Sequence, residues 1–278
     1  MRIGKFPRFC AGEPINGLGE RMAGRMVLVA ELPTCKPMLP LTSWSFWRVN
    51  QRALHFFGTR YGPDYGRMNG EQGAVKAGDP DYPLVVSIRQ VHGTDVLSLD
   101  CPLKAGQTFF GGHDAVLTNQ VDTLLTVHAA DCVPVLLMDA SRGVIGAVHA
   151  GWRGAVHGIV TKSLRNMMER FDAGLASLHV AIGPSAGSCC YEVDTPVMDQ
   201  LPPDALGDPT ILRRTGSGTG RLDLKKFIQW QALSFGLAED HIHIVDLCTI
   251  CRPDLFFSYR REGVVHGNMV SGIMLRNL

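Results

Sequence analysis

Residues 123–160, "TLLTVHAADCVPVLLMDASRGVIGAVHAGWRGAVHGIV", constrain the fold more than any other stretch. Their apolar runs at 123–129, 133–138 and 144–150 continue with little polar alternation. A strand that faces water on one side alternates, whereas an unbroken apolar run suits a strand covered on both faces. The polar break at Asp131-Cys132 and the "SRG" at 141–143 predict turns between three buried strands. Beyond the glycines at 151–154, Ala155, Ile159, Leu164, Met167, Met168 and Phe171 recur at helical spacing, and "SLHVAIGP" (177–184) reads as a further strand. A strand, helix, strand succession of this kind belongs to the α/β class.

The remainder extends that pattern. "YPLVVSIRQVHGTDV" (82–96) is β-rich and breaks at His92-Gly93; a helix is predicted over 223–235, a strand over "HIHIVDL" (241–247), and terminal strands over "FFSYRRE" (256–262) and "NMVSGIML" (268–275). Gly58–Gly78 reads as loop. Residues 1–50 mix Pro, Gly and charge without a period and are expected to form an N-terminal extension, loosely packed or partly disordered, ahead of one catalytic domain over 51–278. The predicted architecture is a single α/β domain with a mixed β-sheet layered with helices.

Charge and cysteine usage narrow the function. With 27 Lys+Arg against 26 Asp+Glu and no long run of either sign, the basic footprint of a nucleic-acid binder is missing. No apolar run approaches the roughly 20 residues of a membrane span, and no export signal is read in the first fifty residues. Eight cysteines scattered through 278 residues are not a secreted disulfide framework, so a reducing cytoplasm and small-molecule partners are expected. The expected assembly is a monomer or weak homo-oligomer.

Three residues stand at or beside strand ends: His92, Cys132 and His149. Two imidazoles and a thiolate suit zinc, and three protein donors leave the fourth position open for water or substrate, as a catalytic site requires. The gaps of 40 and 17 residues match no short metal motif. From spacing alone, two other readings stay open: a turn-capping His92 with a buried Cys132 and a hydrogen-bonded His149, or a Cys132 nucleophile activated by histidine without a metal.

The strings "RQVHGTDV" (89–96), "AADCVPVLLMD" (129–139), "AVHAGWRGAVHGIV" (147–160), "AIGPSAGSCCYEV" (181–193) and "FFSYRREG" (256–263) resemble those of the YfiH family, also called the laccase-domain or polyphenol oxidase family, in the family's order. The resemblance covers about Leu54 to Leu275. It implies a purine nucleoside phosphorylase acting on adenosine, inosine, guanosine and methylthioadenosine, with adenosine deaminase activity in the same site, and a fold similar to cysteine hydrolase-like domains. It also implies zinc on His92, Cys132 and His149, which would serve as the catalytic set. A copper polyphenol oxidase, with Cu in place of Zn, and a hydrolase that edits cell-wall nucleotide precursors are the alternatives.

Purine nucleosides and phosphate are the implied partners, and phosphate needs cations. Arg60, Arg153 and Arg260 (or Arg261) are the candidates, with Asn69 as a possible substrate contact. Asp131 is expected to play a structural role beside Cys132, Trp152 to pack, and His113, His128 and His157 to be structural. Cys248 and Cys251 form a Cys-x-x-Cys read as buried free thiols. Two departures from the family pattern stand out: Ala129 where Thr is common, and Asn268 near the usual position of an Arg, which weakens the case for a C-terminal phosphate-binding cation.

Overall fold

A computed structural model of the chain describes residues 53–62, 73–77 and 84–276. The N-terminal extension and Asn69 lie outside the described residues. Among the described residues fifteen strands are seen: β1 (Ala53–Phe56), β2 (Gly73–Ala77), β3 (Leu84–Ser87), β4 (Val96–Leu99), β5 (Thr108–Phe109), β6 (Ala115–Thr118), β7 (Thr123–Ala129), β8 (Val133–Asp139), β9 (Val144–Ala150), β10 (Leu178–Ile182), β11 (Glu192–Asp194), β12 (Leu212–Gly216), β13 (Thr219–Leu222), β14 (Ile242–Ile244) and β15 (Met269–Leu275). The α-helices are α1 (Trp152–Val156), α2 (Ile159–Phe171), α3 (Thr195–Met198), α4 (Pro203–Gly207), α5 (Leu224–Phe235) and α6 (Tyr259–Glu262).

The mixed α/β class is as expected, with the strands divided between two six-stranded sheets and a small three-stranded one. One large sheet runs β1-β15-β7-β3-β2-β5 and the other β14-β10-β8-β9-β6-β4. Each mixes parallel and antiparallel pairs: β3 lies parallel to β7, and β4 to β6, while β8 is antiparallel to both β9 and β10. Strands β9 and β10 thus flank β8 in the same direction, the arrangement a helical crossover permits.

The unbroken apolar runs follow from layering. Every residue of β8 and β9 is buried. Along β8, Val133, Val135 and Leu137 join the cluster formed with Ile159, Leu164 and Met167 of α2 and Phe227 and Ile228 of α5. Leu136 and Met138 join the other cluster, with Leu125, Val127 and Ile273 of the second sheet. Helices therefore cover one face and a sheet the other. Helix α5 buries Leu224, Phe227, Ile228, Gln231 and Ala232, an i, i+3, i+4, i+7, i+8 stripe. It is capped by Asp223, whose carboxylate accepts from Lys226 N at 3.0 Å.

Several expectations need correction. The helix predicted after "HAGWRG" is broken at Gly158, whose φ of +77° suits glycine and separates α1 from α2. The Gly58–Gly78 loop contains β2, which pairs with β3 and β5. The stretch 256–262 is not a strand: Ser258 caps α6, its Oγ accepting from Arg261 N at 3.1 Å. Among the described residues no helix is long and apolar enough to cross a membrane.

Asp139, at the end of β8, ties the two sides of the crossover together. It is fully buried and accepts from Ser141 N (2.8 Å), Ser141 Oγ (2.7 Å), Arg142 N (3.0 Å), Gly174 N (2.9 Å) and Ser177 Oγ (2.8 Å). Burial pushes its pKa up, but these donors outweigh burial and hold it below the ordinary aspartate value of 3.8. Its stabilising effect is therefore complete above that value and drains away as pH falls through the lower value of the folded state. Asp139→Asn is expected to cost about 2 to 3 kcal/mol in urea unfolding near neutral pH. The gap between wild type and variant should narrow in acid; a pH-independent gap would contradict this role.

Candidate metal centre

Each donor is placed by a different element. Cys132 lies in the turn between β7 and β8, His149 near the end of β9, and His92 in the loop between β3 and β4. Because Pro134 pairs with His149 and Val133 with Ala150, the antiparallel register brings Cys132 alongside His149. One donor atom from each of His92, Cys132 and His149 lies within 4.8 Å of the others. Cys132 Sγ is 4.0 Å from His92 Nδ1, and the two imidazole rings meet edge-on with centroids 4.8 Å apart. His149 is 3% exposed, Cys132 is half-buried and His92 is exposed, so the cluster opens to solvent on the His92 side.

A residue that the sequence reading missed organises this set. Asp114 is fully buried just before β6, and its Oδ1 accepts from His92 N (3.0 Å) and His149 Nδ1 (2.8 Å). Its Oδ2 accepts from Val91 N (3.2 Å) and Gly93 N (2.6 Å). His149 N also donates to the Asp114 carbonyl at 2.7 Å. Holding Nδ1–H of His149 leaves Nε2 as the free donor atom facing Cys132. Desolvation raises the Asp114 pKa, but the hydrogen bonds from His149 and Gly93 outweigh it and keep the carboxyl ionised. The signal was present in "GGHDAV": a lone aspartate immediately before an apolar strand.

Electrostatics favour a thiolate at Cys132. Burial opposes ionisation, yet the charge and hydrogen bond of His149 and the hydrogen bond of His92 draw its pKa below the ordinary thiol range. The reciprocal attraction raises His149 against its own burial. Gly151 shows how tightly the donors are gathered: a Cβ there would stand 2.6 Å from His92 Nδ1 and 3.2 Å from Cys132 Sγ. The glycine of "HAGWRG" therefore keeps the space beside the donors clear. Imidazole, imidazole and thiolate within this span fit a borderline-soft divalent ion.

On the other side of Cys132, Asp131 adopts φ +89° and turns its carboxylate away from the donors. It accepts from Thr249 Oγ1 (2.6 Å), Ser258 Oγ (2.9 Å) and Arg260 N (2.7 Å). This is the structural role expected of it. Nearby lies a cavity of about 210 Å³ lined by Trp152, Tyr191, Glu192, Val193, Asp194, Val197, Thr219 and Arg260. Burial and the negative charge of Cys132 push the Tyr191 phenol up to about 12, so it remains a hydrogen-bond donor.

The candidate arginines separate clearly. Arg260 lines the cavity, donates from Nη2 to the Glu192 carbonyl and stands over the Tyr191 ring at 5.7 Å. Arg261 is instead bound to the carbonyls of Thr249, Ile250 and Phe256 and to Glu262. Arg153 is exposed and stacks on Trp152 at 4.3 Å. Arg60 donates to the Pro253 carbonyl and lies over Phe257 at 4.8 Å. Trp152 packs against the helical core and also lines the cavity, so packing describes only part of its position. His157 bonds back to the Arg153 carbonyl at 2.8 Å.

Residues 67–276 match the family model described as multi-copper polyphenol oxidoreductase laccase. The chain belongs to this family. It is 36% identical over 203 residues to the purine nucleoside phosphorylase YlmD of Geobacillus stearothermophilus, covering 69% of this chain and 73% of that protein. It is 29% identical over 199 residues to the adenosine deaminase RL5 of an unknown prokaryotic organism, covering 69% and 76%. The crystal structure of the Geobacillus YlmD superposes with a TM-score of 0.69 at 30% identity, over 82% of this chain and 94% of that one. Bacillus licheniformis YfiH gives 0.68 at 26% identity, over 83% and 94%. Family membership thus agrees with the resemblance read from the motifs, and the chain is an enzyme.

Two substitutions probe the donor set. Asp114→Asn would place an amide where backbone N–H groups now converge, and is expected to weaken binding of an added divalent metal roughly 10- to 100-fold in competition with a chromophoric chelator. Gly151→Ala should displace His92 and lose the ion in the same assay. Wild-type affinity in both would show that these contacts do not set the donor geometry.

Proposed function

We propose that this chain is a zinc-dependent purine nucleoside phosphorylase that acts on adenosine, inosine, guanosine and methylthioadenosine and also deaminates adenosine. The observation that carries this reading is the convergence of His92, Cys132 and His149 near a cavity whose wall holds Arg260, Tyr191, Glu192 and Asp194. Among the described residues only these three form an imidazole-bearing donor cluster, which leaves a coordination position open. An ion held there would supply Lewis acidity toward an oxygen of the substrate or of water.

The protein's own groups fit the remaining needs. Phosphorolysis passes through a ribosyl centre that gains positive charge while phosphate is held as nucleophile. Arg260, fixed by the Glu192 carbonyl and the Tyr191 ring, presents a guanidinium to the cavity and suits the phosphate. Tyr191 offers a protonated phenol as a second donor to the anion or the sugar. Glu192 and Asp194 can accept from ribose hydroxyls, and the half-buried indole of Trp152 offers a face for a purine. Arg153 and Arg60 remain candidate phosphate contacts, as does Asn69 for the substrate.

Copper also accepts imidazole and thiolate donors, and the family's description carries that metal. Multi-copper oxidation, however, couples several ions through many imidazoles, and among the described residues one imidazole-bearing cluster is present. A hydrolase acting on nucleotide-linked cell-wall precursors would use the same donors without phosphate.

Purified protein is expected to release hypoxanthine from inosine only when phosphate is supplied, with loss of activity in Cys132→Ala. Arg260→Ala should raise the phosphate KM roughly 10- to 100-fold, the cost of a charge-assisted contact. Base release that ignores phosphate would identify a hydrolase, and phenol oxidation with bound copper an oxidase.

A further inference from the structure

Cys189, Cys190, Cys248 and Cys251 have no part in the centre described above, yet their four sulfurs all lie within 4.8 Å of one another. Cys251 Sγ is 3.1 Å from Cys190 Sγ and 3.3 Å from Cys189 Sγ. These distances exceed the roughly 2.05 Å of a disulfide. Together with the 4.8 Å limit they bracket the roughly 3.8 Å that separates sulfurs around a tetrahedral ion with bonds of about 2.3 Å.

Packing does not explain the cluster. Free cysteines usually behave as small buried hydrophobes. Here Cys189 and Cys251 are exposed, and Cys190 and Cys248 only partly buried. The backbone is shaped around the sulfurs instead. Gly187 N donates to Cys248 Sγ at 3.3 Å, and the N–H groups of Cys251 and Ile250 also face that sulfur. A Cβ on Gly187 would lie 3.2 Å from Cys248 Cβ and 3.4 Å from Cys189 Sγ. A Cys-x-x-Cys turn of this kind presents two thiolates to one ion, and the adjacent Cys189-Cys190 pair completes four. Zinc with four thiolates carries a net negative charge. Arg221, which also pairs with Glu192 (3.5 Å), donates to the Cys189 carbonyl (2.9 Å), and Arg261, paired with Glu262, donates to the Thr249 carbonyl (2.7 Å), so a guanidinium is bound to each of the two loops that carry the sulfurs.

We propose that these four cysteines form a second metal site, a closed tetrathiolate that takes zinc and acts as a structural clamp. Four protein donors fill a tetrahedral ion and leave no open position for chemistry. The two loops it would join both support the cavity. Residues 187–190 lead directly into Tyr191 and Glu192 of the wall. The 248–251 loop carries Thr249, which binds Asp131 next to Cys132. An ion there would fix the wall relative to the first centre by a cross-link about 60 residues long in sequence, where closing a loop restricts the unfolded chain most. This site stands independently of the phosphorylase reading.

The test is zinc and cobalt loading of the full chain, purified under reducing conditions. Wild type is expected to bind about two equivalents of zinc, with a sulfur-rich average donor set in X-ray absorption fine structure. His92→Ala/Cys132→Ala, which leaves the buried His149 in place, should retain about one equivalent. Its cobalt form should show the intense sulfur-to-metal charge transfer and tetrahedral d–d absorption of an all-thiolate centre. Cys248→Ser/Cys251→Ser should lose that equivalent and that absorption. A single wild-type equivalent with nitrogen and oxygen as its main donors overturns the proposal. So does a folded His92→Ala/Cys132→Ala protein with reduced thiols that takes up no cobalt.

Discussion

The carboxylate of Asp114 is the contact on which the cluster of His92, Cys132 and His149 depends. A fully buried charge is expensive unless hydrogen-bonded, and this one has four donors. Three are consecutive backbone N–H groups of Val91, His92 and Gly93, and the fourth is His149 Nδ1. One group thereby sets both the loop that carries one donor and the ring orientation of another. His92 adopts φ +59°, a left-handed conformation that costs a non-glycine residue on the order of 1 to 3 kcal/mol. Hydrogen bonds to a charged acceptor contribute about 1.5 to 3 kcal/mol each. The Asp114 contacts therefore exceed the strain they impose.

Asp131 repeats the device on the opposite side of the site. It too is left-handed, at φ +89°, and its carboxylate collects Thr249, Ser258 and the N–H of Arg260. The turn that delivers Cys132 is thus bound to the two loops that follow β14. Through Arg260 the same contact reaches the cavity wall. Donor geometry and cavity shape are coupled through hydrogen bonds to two aspartates placed just outside apolar strands.

The legible parts of the fold were those where one physical term dominates. Strands β7, β8 and β9 are buried on both faces, and their apolar runs announced it; α5 combined an apolar stripe with the Asp223 cap and a terminating Gly236. Short exposed strands gave no comparable signal, as in β12, where only Leu212 of "LRRTG" is buried. The aromatic run before Tyr259 favoured a strand, but Ser258 and the Asp131 carboxylate convert it into a helix start, and Asp131 lies 127 residues away from that serine. The donor triad was assembled by family likeness rather than by spacing. Asp114 and the four-cysteine cluster went unread because each acts through contacts separated widely along the chain. The two cysteine pairs were visible singly, and nothing local indicated that they meet.

The division of labour among the arginines follows from what each guanidinium already holds. Arg261 is saturated by three carbonyls and Glu262, so its charge is committed to keeping the 249–256 loop in shape. Arg60 donates to the Pro253 carbonyl and lies over Phe257, and Phe257 N in turn donates to Met269 Sδ at 3.2 Å beside Asn268. Arg260 has one carbonyl contact and an open cavity before it. A chain with asparagine at 268 therefore still has a cation at the cavity, delivered from the start of α6 by the same aspartate that steadies Cys132. That placement ties the cavity's cation to the turn that carries Cys132 through a single side chain, so the two cannot shift independently.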